Sequence, residues 1–279
     1  MDKVETIRDI RELLFNKEHI AFVPTMGNLH EGHLSLVNKA ISISKTVVVS
    51  IFINPAQFNS IKDLDSYPRT PDKDIKLLEQ YENLILFMPN LKEVYPEHTN
   101  NIYDLPPISN DLCGKFRPGH FNGVITVIDK LFDLVMPESV IFGKKDYQQL
   151  FLVKYFAKYN YPKIKIIGGE TIRNKDGLAL SSRNNLLTKE HLIDAANLYK
   201  ALQNIVNQAK SGHNKQSTIG DNIKHLESLG WDVEYIEIRK VSDLREPSYN
   251  DSELVILGAG TFKGVRLIDS IEFCIGQPN

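Results

Sequence analysis

Apolar positions in the first part of the chain form short runs separated by stretches at helical spacing. Ile20–Pro24 is one such run, Leu34–Ser44 has a helical pattern, and Thr46–Ile53 (TVVVSIFI) is nearly continuous in apolar residues, as a strand buried on both faces is. Pro71–Tyr81 predicts a helix with proline at an early position, and Asn83–Met88 (NLILFM) predicts a strand stopped by Pro89. The alternation continues with a helix over Gly123–Val135, a strand over Ser139–Phe142, an amphipathic helix over Asp146–Tyr159 and a strand over Lys163–Ile167. Strands alternating with helices predict a doubly wound parallel α/β sheet with helices on both faces and right-handed crossovers. After Gly168-Gly169 the pattern changes. Thr188–Ser211 and Ser217–Leu229 read as polar-rich helices, followed by strand-like alternation over Val233–Arg239, Glu253–Leu257 and Gly264–Phe273. This predicts two domains, 1–171 and a smaller α+β domain over 172–279.

Composition narrows the function classes. With 42% hydrophobic and 24% charged residues, the 279-residue chain can bury a sizeable core. Lys+Arg 33 against Asp+Glu 35 gives a net charge of -2, which argues against a dedicated nucleic-acid or anionic-membrane binder. Two cysteines, Cys113 and Cys274, without a CxxC, argue against a disulfide framework and suit a reducing cytoplasm. The start of the chain has no apolar stretch of signal-peptide length, and no run approaches the roughly 20 apolar residues of a membrane span, so a soluble cytoplasmic protein is expected.

The most informative stretch is Phe22–Leu34 (FVPTMGNLHEGHL), where the first predicted strand should end and a helix begin, the place where open α/β sheets bind ligands. Gly27 allows close backbone approach. A helix starting near His33 would aim unpaired N–H groups at an anion, and His30 and His33, at i and i+3, could donate to phosphate oxygens. The His-Glu-Gly-His spacing is one residue short of the zinc-protease motif, which disfavours zinc. No GxxxxGK[ST] occurs, and Gly258–Gly264 (GAGTFKG) misses GxGxxG by one residue and reads as a hairpin turn. Ala179–Asn184 (ALSSRN), after Arg173 and Asp176-Gly177, reads either as a phosphate-gripping lid or as a capped turn before the next helix. Gly143-Lys144-Lys145-Asp146 lies at another strand-to-helix junction: Lys145 could neutralise phosphate, and Asp146 could cap the helix, bind a ribose hydroxyl or hold a metal. Gln57 and Gln149 are neutral groups able to bind a carboxylate or hydroxyl, although each taken alone reads as polar surface.

Taken in order, PTMGNLHEGHLSL (Pro24–Leu36), SIFINPAQF (Ser50–Phe58), DLDSYPRT (Asp63–Thr70), RPGHFNGV (Arg117–Val124), FGKKDYQQL (Phe142–Leu150) and DGLALSSRN (Asp176–Asn184) resemble the pantoate–β-alanine ligase family of the HxGH nucleotidyltransferase-like superfamily. One departure is Leu180, where methionine is common, and the last hundred residues match more loosely. The resemblance implies a Rossmann-like sheet domain and ATP-dependent condensation of (R)-pantoate with β-alanine, giving pantothenate, AMP and diphosphate, with Mg²⁺, in a cytoplasmic homodimer. It implies that ATP is bound by Met26, Gly27, Asn28, Leu29, His30, Glu31, Gly32, His33, Gly143, Lys144, Lys145, Asp146, Ile172, Leu180, Ser181, Ser182 and Arg183. It implies pantoate binding by Gln57 and Gln149, with Gln57 also near β-alanine, and it makes His33 the position usually labelled proton donor. His30, His33, Lys145 and Arg183 suit charge stabilisation during adenylation, and a lid over a reactive adenylate fits the smaller domain. Asp72, Asp74 and Asp146 are all open as magnesium ligands. The nearest alternative is an adenylyltransferase with a phosphate acceptor, which should require added basic residues near Asn54–Phe58 and Gln149; a non-catalytic nucleotide-binding module is the alternative from another class.

Overall fold

The apolar runs become the strands of one parallel sheet in the computed structural model of the chain, which describes residues 1–96, 102–212 and 215–276. These strands are β1 (Asp2–Val4), β2 (Ile20–Thr25), β3 (Thr46–Ile51), β4 (Leu84–Phe87), β5 (Ser139–Gly143) and β6 (Lys165–Gly169), in the order β1-β4-β3-β2-β5-β6. All pairings are parallel. The chain steps outward from β2 to β3 and β4, then returns to the other side of β2 with β5. That reversal puts a topological switch point at β2, where the carboxyl ends of parallel strands leave a crevice. Strand β3 shows why the run TVVVSI is continuous: Val47 and Val49 belong to the core on one face of the sheet and Val48 to the core on the other.

Helices α1 (Ile7–Leu14), α2 (Glu31–Ile43), α3 (Ile61–Ser66), α4 (Pro71–Leu78), α5 (Leu91–Val94), α6 (Cys113–Phe116), α7 (His120–Val135) and α8 (Tyr147–Asn160) join the strands. One face is covered by Leu34, Val37, Ala40 and Leu78, the other by Ile125, Ile128, Phe132, Val153 and Phe156. The apolar pattern does not reveal β1 and α1. Strand β1 is three residues, two of them charged, and pairs only with β4.

Two compact units emerge, Met1–Gly143 with Gln149–Glu170, and Lys144–Gln148 with Thr171–Asn279. In the second unit, α9 (Lys189–Ala195), α10 (Asn197–Lys210) and α11 (Lys215–Ser228) precede an antiparallel sheet of β7 (Trp231–Lys240), β8 (Glu253–Phe262) and β9 (Val265–Cys274). Leu198, Leu202, Ile205, Trp231, Ile256 and Phe262 share its core. Two expectations change here. The single helical stretch Thr188–Ser211 is broken at Ala196, whose N–H turns to the Ile193 and Asp194 carbonyls and tightens the last turn of α9. The hairpin turn is only Lys263-Gly264, both with left-handed φ (50° and 77°), so Gly258 and Gly260 lie inside β8. A two-residue turn with positive φ at both positions is sufficient to reverse twisted strands.

Candidate active site

The loop between β2 and α2 is held from behind. Gly27 (φ 78°) and Asn28 (φ 49°) both occupy left-handed backbone, which glycine adopts freely and asparagine more readily than most residues. A Cβ on Gly27 would stand 3.0 Å from Asp74 Oδ2 and 3.0 Å from Ile51 Cγ2. The Gly27 N–H donates to Thr25 Oγ1 at 3.2 Å. The Asn28 and Leu29 N–H groups donate to the two carboxylate oxygens of Asp74, each at 2.8 Å. Asp74, on α4, is 1% exposed, and its Oδ1 also accepts from the Thr70 hydroxyl at 3.0 Å. Both oxygens are thus engaged by the loop and its own helix, which removes Asp74 from the three carboxylates left open for magnesium.

Helix α2 starts two residues before His33, close to the expected place, but its first amides are not left unpaired as the sequence predicts. It starts at Glu31 with His30 as N-cap, and imidazole nitrogens cap its first amides. His30 Nδ1 accepts from the Gly32 N–H at 3.1 Å, and His33 Nδ1 accepts from the His30 N–H at 3.4 Å. Histidine is not among the residues whose presence signals an N-cap, so this cap is not legible in the sequence. A nitrogen that accepts carries no proton, so each neutral ring holds its proton on Nε2. The two rings lie with centroids 4.1 Å apart, a pair of Nε2–H donors presented from one helical turn.

A second cluster positions Gln57. Asn54 caps the turn Pro55–Gln57, its Oδ1 accepting from the Ala56 N–H at 3.2 Å and from the Tyr95 hydroxyl at 2.9 Å. Burial, reinforced by Tyr103, pushes the Tyr95 hydroxyl well above its ordinary value, which keeps it a donor to Asn54. Asn54 Nδ2 donates to Gln57 Oε1 at 3.1 Å and to the Gly123 carbonyl at 2.9 Å. Gln57 Nε2 meets Met26 Sδ at 2.7 Å, bringing two of the predicted site residues together. The Gln57 carbonyl accepts from Arg117 Nη2 at 3.1 Å and from His120 Nδ1 at 2.8 Å. Arg117 Nη1 lies 3.1 Å from His120 Nε2; since a guanidinium only donates, His120 accepts there and carries its proton on Nδ1. Helix α7 approaches this turn so closely that a Cβ on Gly123 would fall 2.1 Å from the Ala56 carbonyl oxygen. Gln149 is half-buried on α8.

In the second unit, Lys144–Asp146 forms a tight turn held by β9. Glu272 accepts from Lys144 Nζ and from the Tyr147 hydroxyl, both at 2.6 Å, and Ser270 Oγ donates to the Lys144 carbonyl at 2.8 Å. The 172–183 segment folds back on itself, with the Leu180 N–H donating to the Ile172 carbonyl at 2.9 Å. Arg173 donates to both oxygens of Asp269 at 2.5 and 2.8 Å, donates to the Gly177 carbonyl at 3.2 Å, and stacks its guanidinium 3.6 Å from the centre of the Tyr199 ring. Burial pushes the Asp269 carboxyl above its ordinary value, against the pull of Arg173, the Ser270 N–H and Lys145. Ser181 caps the turn Ser182–Leu186 by accepting from the Arg183 N–H at 3.2 Å. A capped turn is therefore present, and it carries Ser182 and Arg183.

Sequence reasoning named the histidines, Gln57 and the Ser-Ser-Arg loop, and missed the groups that hold them: Asp74 as a loop anchor, Asn54, Tyr95, Arg117, His120, Ser270 and Glu272. Asp74 at i+4 from Thr70, in a first turn, reads as an ordinary helix-dipole charge. The nearest signal was the apolar spacing of α4, which puts position 74 on the same face as the fully buried Leu78.

A sequence profile described as Pantoate-beta-alanine ligase matches residues 1–272. The pantothenate synthetase of Methylobacillus flagellatus is 44% identical over 274 residues, 98% of each chain, and that of Nitrosospira multiformis is 43% identical with the same coverage. The crystal structure of pantothenate synthetase from Thermus thermophilus superimposes with a TM-score of 0.91 at 37% identity, covering 97% of this chain and 99% of that one. A pantoate-beta-alanine ligase from Francisella tularensis, complexed with beta-gamma ATP and beta-alanine, gives 0.83 at 34% identity, covering 97% of each chain. On sequence and fold alike, the chain belongs to the Pantoate-beta-alanine ligase family.

Proposed function

We propose that this ligase, which joins pantoate to β-alanine with ATP, works through a pantoyl adenylate, and that the two histidines supply the charge stabilisation for its formation. The pantoate carboxylate attacks the α-phosphorus, a new O–P bond forms and the bond to the bridging oxygen breaks, releasing diphosphate. The β-alanine amine then attacks the pantoyl carbonyl, a C–N bond replaces the C–O bond to AMP, and a proton is lost from nitrogen. The first step needs donors aimed at negative charge that accumulates on phosphorus and on the leaving diphosphate. The observation that carries this reading is the pair of imidazoles whose Nδ1 atoms are tied to backbone N–H groups, which commits both Nε2–H groups as donors.

Lys145 and Arg183 add positive charge, and Met26–His33, Gly143–Asp146, Ile172 and Leu180–Arg183 bind ATP. Gln57 and Gln149 hold pantoate, with Gln57 near β-alanine. Among the described residues, no group of three His, Cys, Asp or Glu side chains gathers to hold a metal. That donor set fits a magnesium ion that arrives on the triphosphate, since magnesium keeps waters and uses one or two carboxylates with phosphates. Asp72 or Asp146 would hold it, and it would neutralise phosphate charge. Among the described residues no helix is long and apolar enough to cross a membrane. The enzyme is assigned to the cytoplasm on its resemblance to its family. A homodimer completes the proposal.

The test is diphosphate release from Mg·ATP and pantoate with and without β-alanine, with pantothenate and AMP followed by mass spectrometry. Adenylate and diphosphate without β-alanine, and pantothenate only with all three substrates, are expected. Pantothenate formed without any adenylate in a rapid quench would remove the two-step reading, and light scattering at the monomer mass would remove the dimer.

A further inference from the structure

We propose that Asp74 is a positioning residue for adenylate formation, acting through the backbone of Asn28 and Leu29 to fix the orientation and tautomer of His30 and His33. The inference rests on the reading of the two histidines given above. Asp74 lies 45 residues from Leu29 in sequence, yet its two oxygens accept the two consecutive N–H groups that precede His30. The next amide in the chain, that of His30, is the donor to His33 Nδ1, so the anchored peptides lead directly into the bond that orients the second ring. Nothing in this arrangement is slack. The carboxylate is buried, a Cβ on Gly27 would stand 3.0 Å from Oδ2, and the Thr70 hydroxyl donates to Asp74 Oδ1 at 3.0 Å.

The two carboxylate oxygens offer one acceptor to each amide. Asparagine has nearly the same shape but one acceptor, and its NH₂ would face a backbone N–H, so Asp74→Asn releases one of the two anchors without opening a cavity. Because catalysis by preorganised donors is lost steeply with displacement, a small shift of the loop lowers the rate of chemistry while pantoate still binds.

The experiment uses the full chain and compares Asp74→Asn, His33→Ala and the double variant in the diphosphate-release assay without β-alanine. Asp74→Asn should lower the maximal rate by roughly 10–100-fold with the pantoate KM within about twofold. The double variant should be no slower than His33→Ala by more than about twofold, the non-additivity of residues acting through one another. In the Asp74→Asn single variant, imidazole ¹⁵N spectra should lose the Nε2–H pattern of His30 and His33, a readout that reports the tautomers directly. If Asp74→Asn fails to fold, Thr70→Val, which removes only the hydroxyl that donates to Asp74, should show the same spectral change and a smaller loss of rate. A wild-type rate in folded Asp74→Asn, or fully multiplicative losses in the double variant, overturns the inference and leaves the role of the histidines standing. A wild-type rate in His33→Ala overturns that role, and this inference with it.

Discussion

An imidazole that accepts a backbone N–H through Nδ1 is fixed in both orientation and tautomer, so His33 needs no change of protonation to act as a donor from Nε2. Removing it should lower adenylate formation by roughly 10²–10³-fold, the usual loss for one preorganised donor at developing charge. The fold should survive, because the ring caps only one amide at a helix start, worth about 0.5–2 kcal/mol. Rapid-quench measurement of adenylate together with a circular-dichroism melt checks both halves; a variant that melts early and adenylates normally when cooled would make His33 a cap and nothing more. The pair itself stands out in the sequence as two histidines between glycines at a strand end, and the structure brings the two rings together. The partners of the site are not legible in the sequence. His120 reaches the Gln57 carbonyl across 63 residues and Asp74 reaches Asn28 across 46, and local pattern carries no trace of such pairings.

At the scale of elements, strands buried on both faces were the most readable, because β3 and β4 feed apolar residues alternately into both cores, with the buried Ser50 the single polar position inside either run. Helix ends were less so, as the imidazole cap of α2 and the buried break at Ala196 show. The approach of α7 to the Asn54–Gln57 turn depends on the bare backbone of Gly123. Gly123→Ala should cost about 1–3 kcal/mol, as overpacking does. It should also raise the pantoate KM, because the atoms in the way are the Ala56 carbonyl and the Gln57 N–H. Denaturant melts and steady-state kinetics would show it, and an unchanged pantoate KM would mean that the turn does not set the position of Gln57. The 172–183 segment depends on a buried ion pair, with Arg173 and Asp269 side chains 17% and 4% exposed. Arg173→Met should cost about 3–5 kcal/mol at pH 7, mostly from a buried carboxylate left unpaired. Burial already raises the Asp269 carboxyl in the folded chain, and losing Arg173 raises it further. A carboxyl with a raised folded value binds its proton more tightly when folded, so its contribution is complete below the unfolded value and is lost as pH climbs through the folded one. Thermal melts of the variant should therefore improve on acidification from pH 7, by more than those of the parent; a melt insensitive to pH would show that Asp269 is not charged and alone there.

For the whole molecule, the nucleotide-binding role proposed for Lys144–Asp146 depends on residues far apart in sequence being brought together. Glu272 holds Lys144 and Tyr147 from 128 and 125 residues away, and Ser270 holds the Lys144 carbonyl from the same strand. The glycine-lysine motif could be read from sequence as a strand-to-helix junction, but the strand that steadies it could not, since β9 reads only as one arm of a hairpin. The Lys144 and Glu272 side chains are 25% and 36% exposed, so the pair adds little to stability, on the order of 0–1 kcal/mol. Its consequence is geometric. Glu272→Ala should leave the melting temperature within about 2–4 °C. The same variant should raise the ATP KM by roughly tenfold, equivalent to about 1.4 kcal/mol of lost alignment, and leave the pantoate KM near its parent value. Glu272→Gln, which still accepts from Tyr147 but carries no charge for Lys144, should fall between the two. Steady-state kinetics varying each substrate separately decide the matter: equal rises in both KM values would mean that the loss is general, and parent-like kinetics in Glu272→Ala would mean that Lys144–Asp146 finds its place without β9.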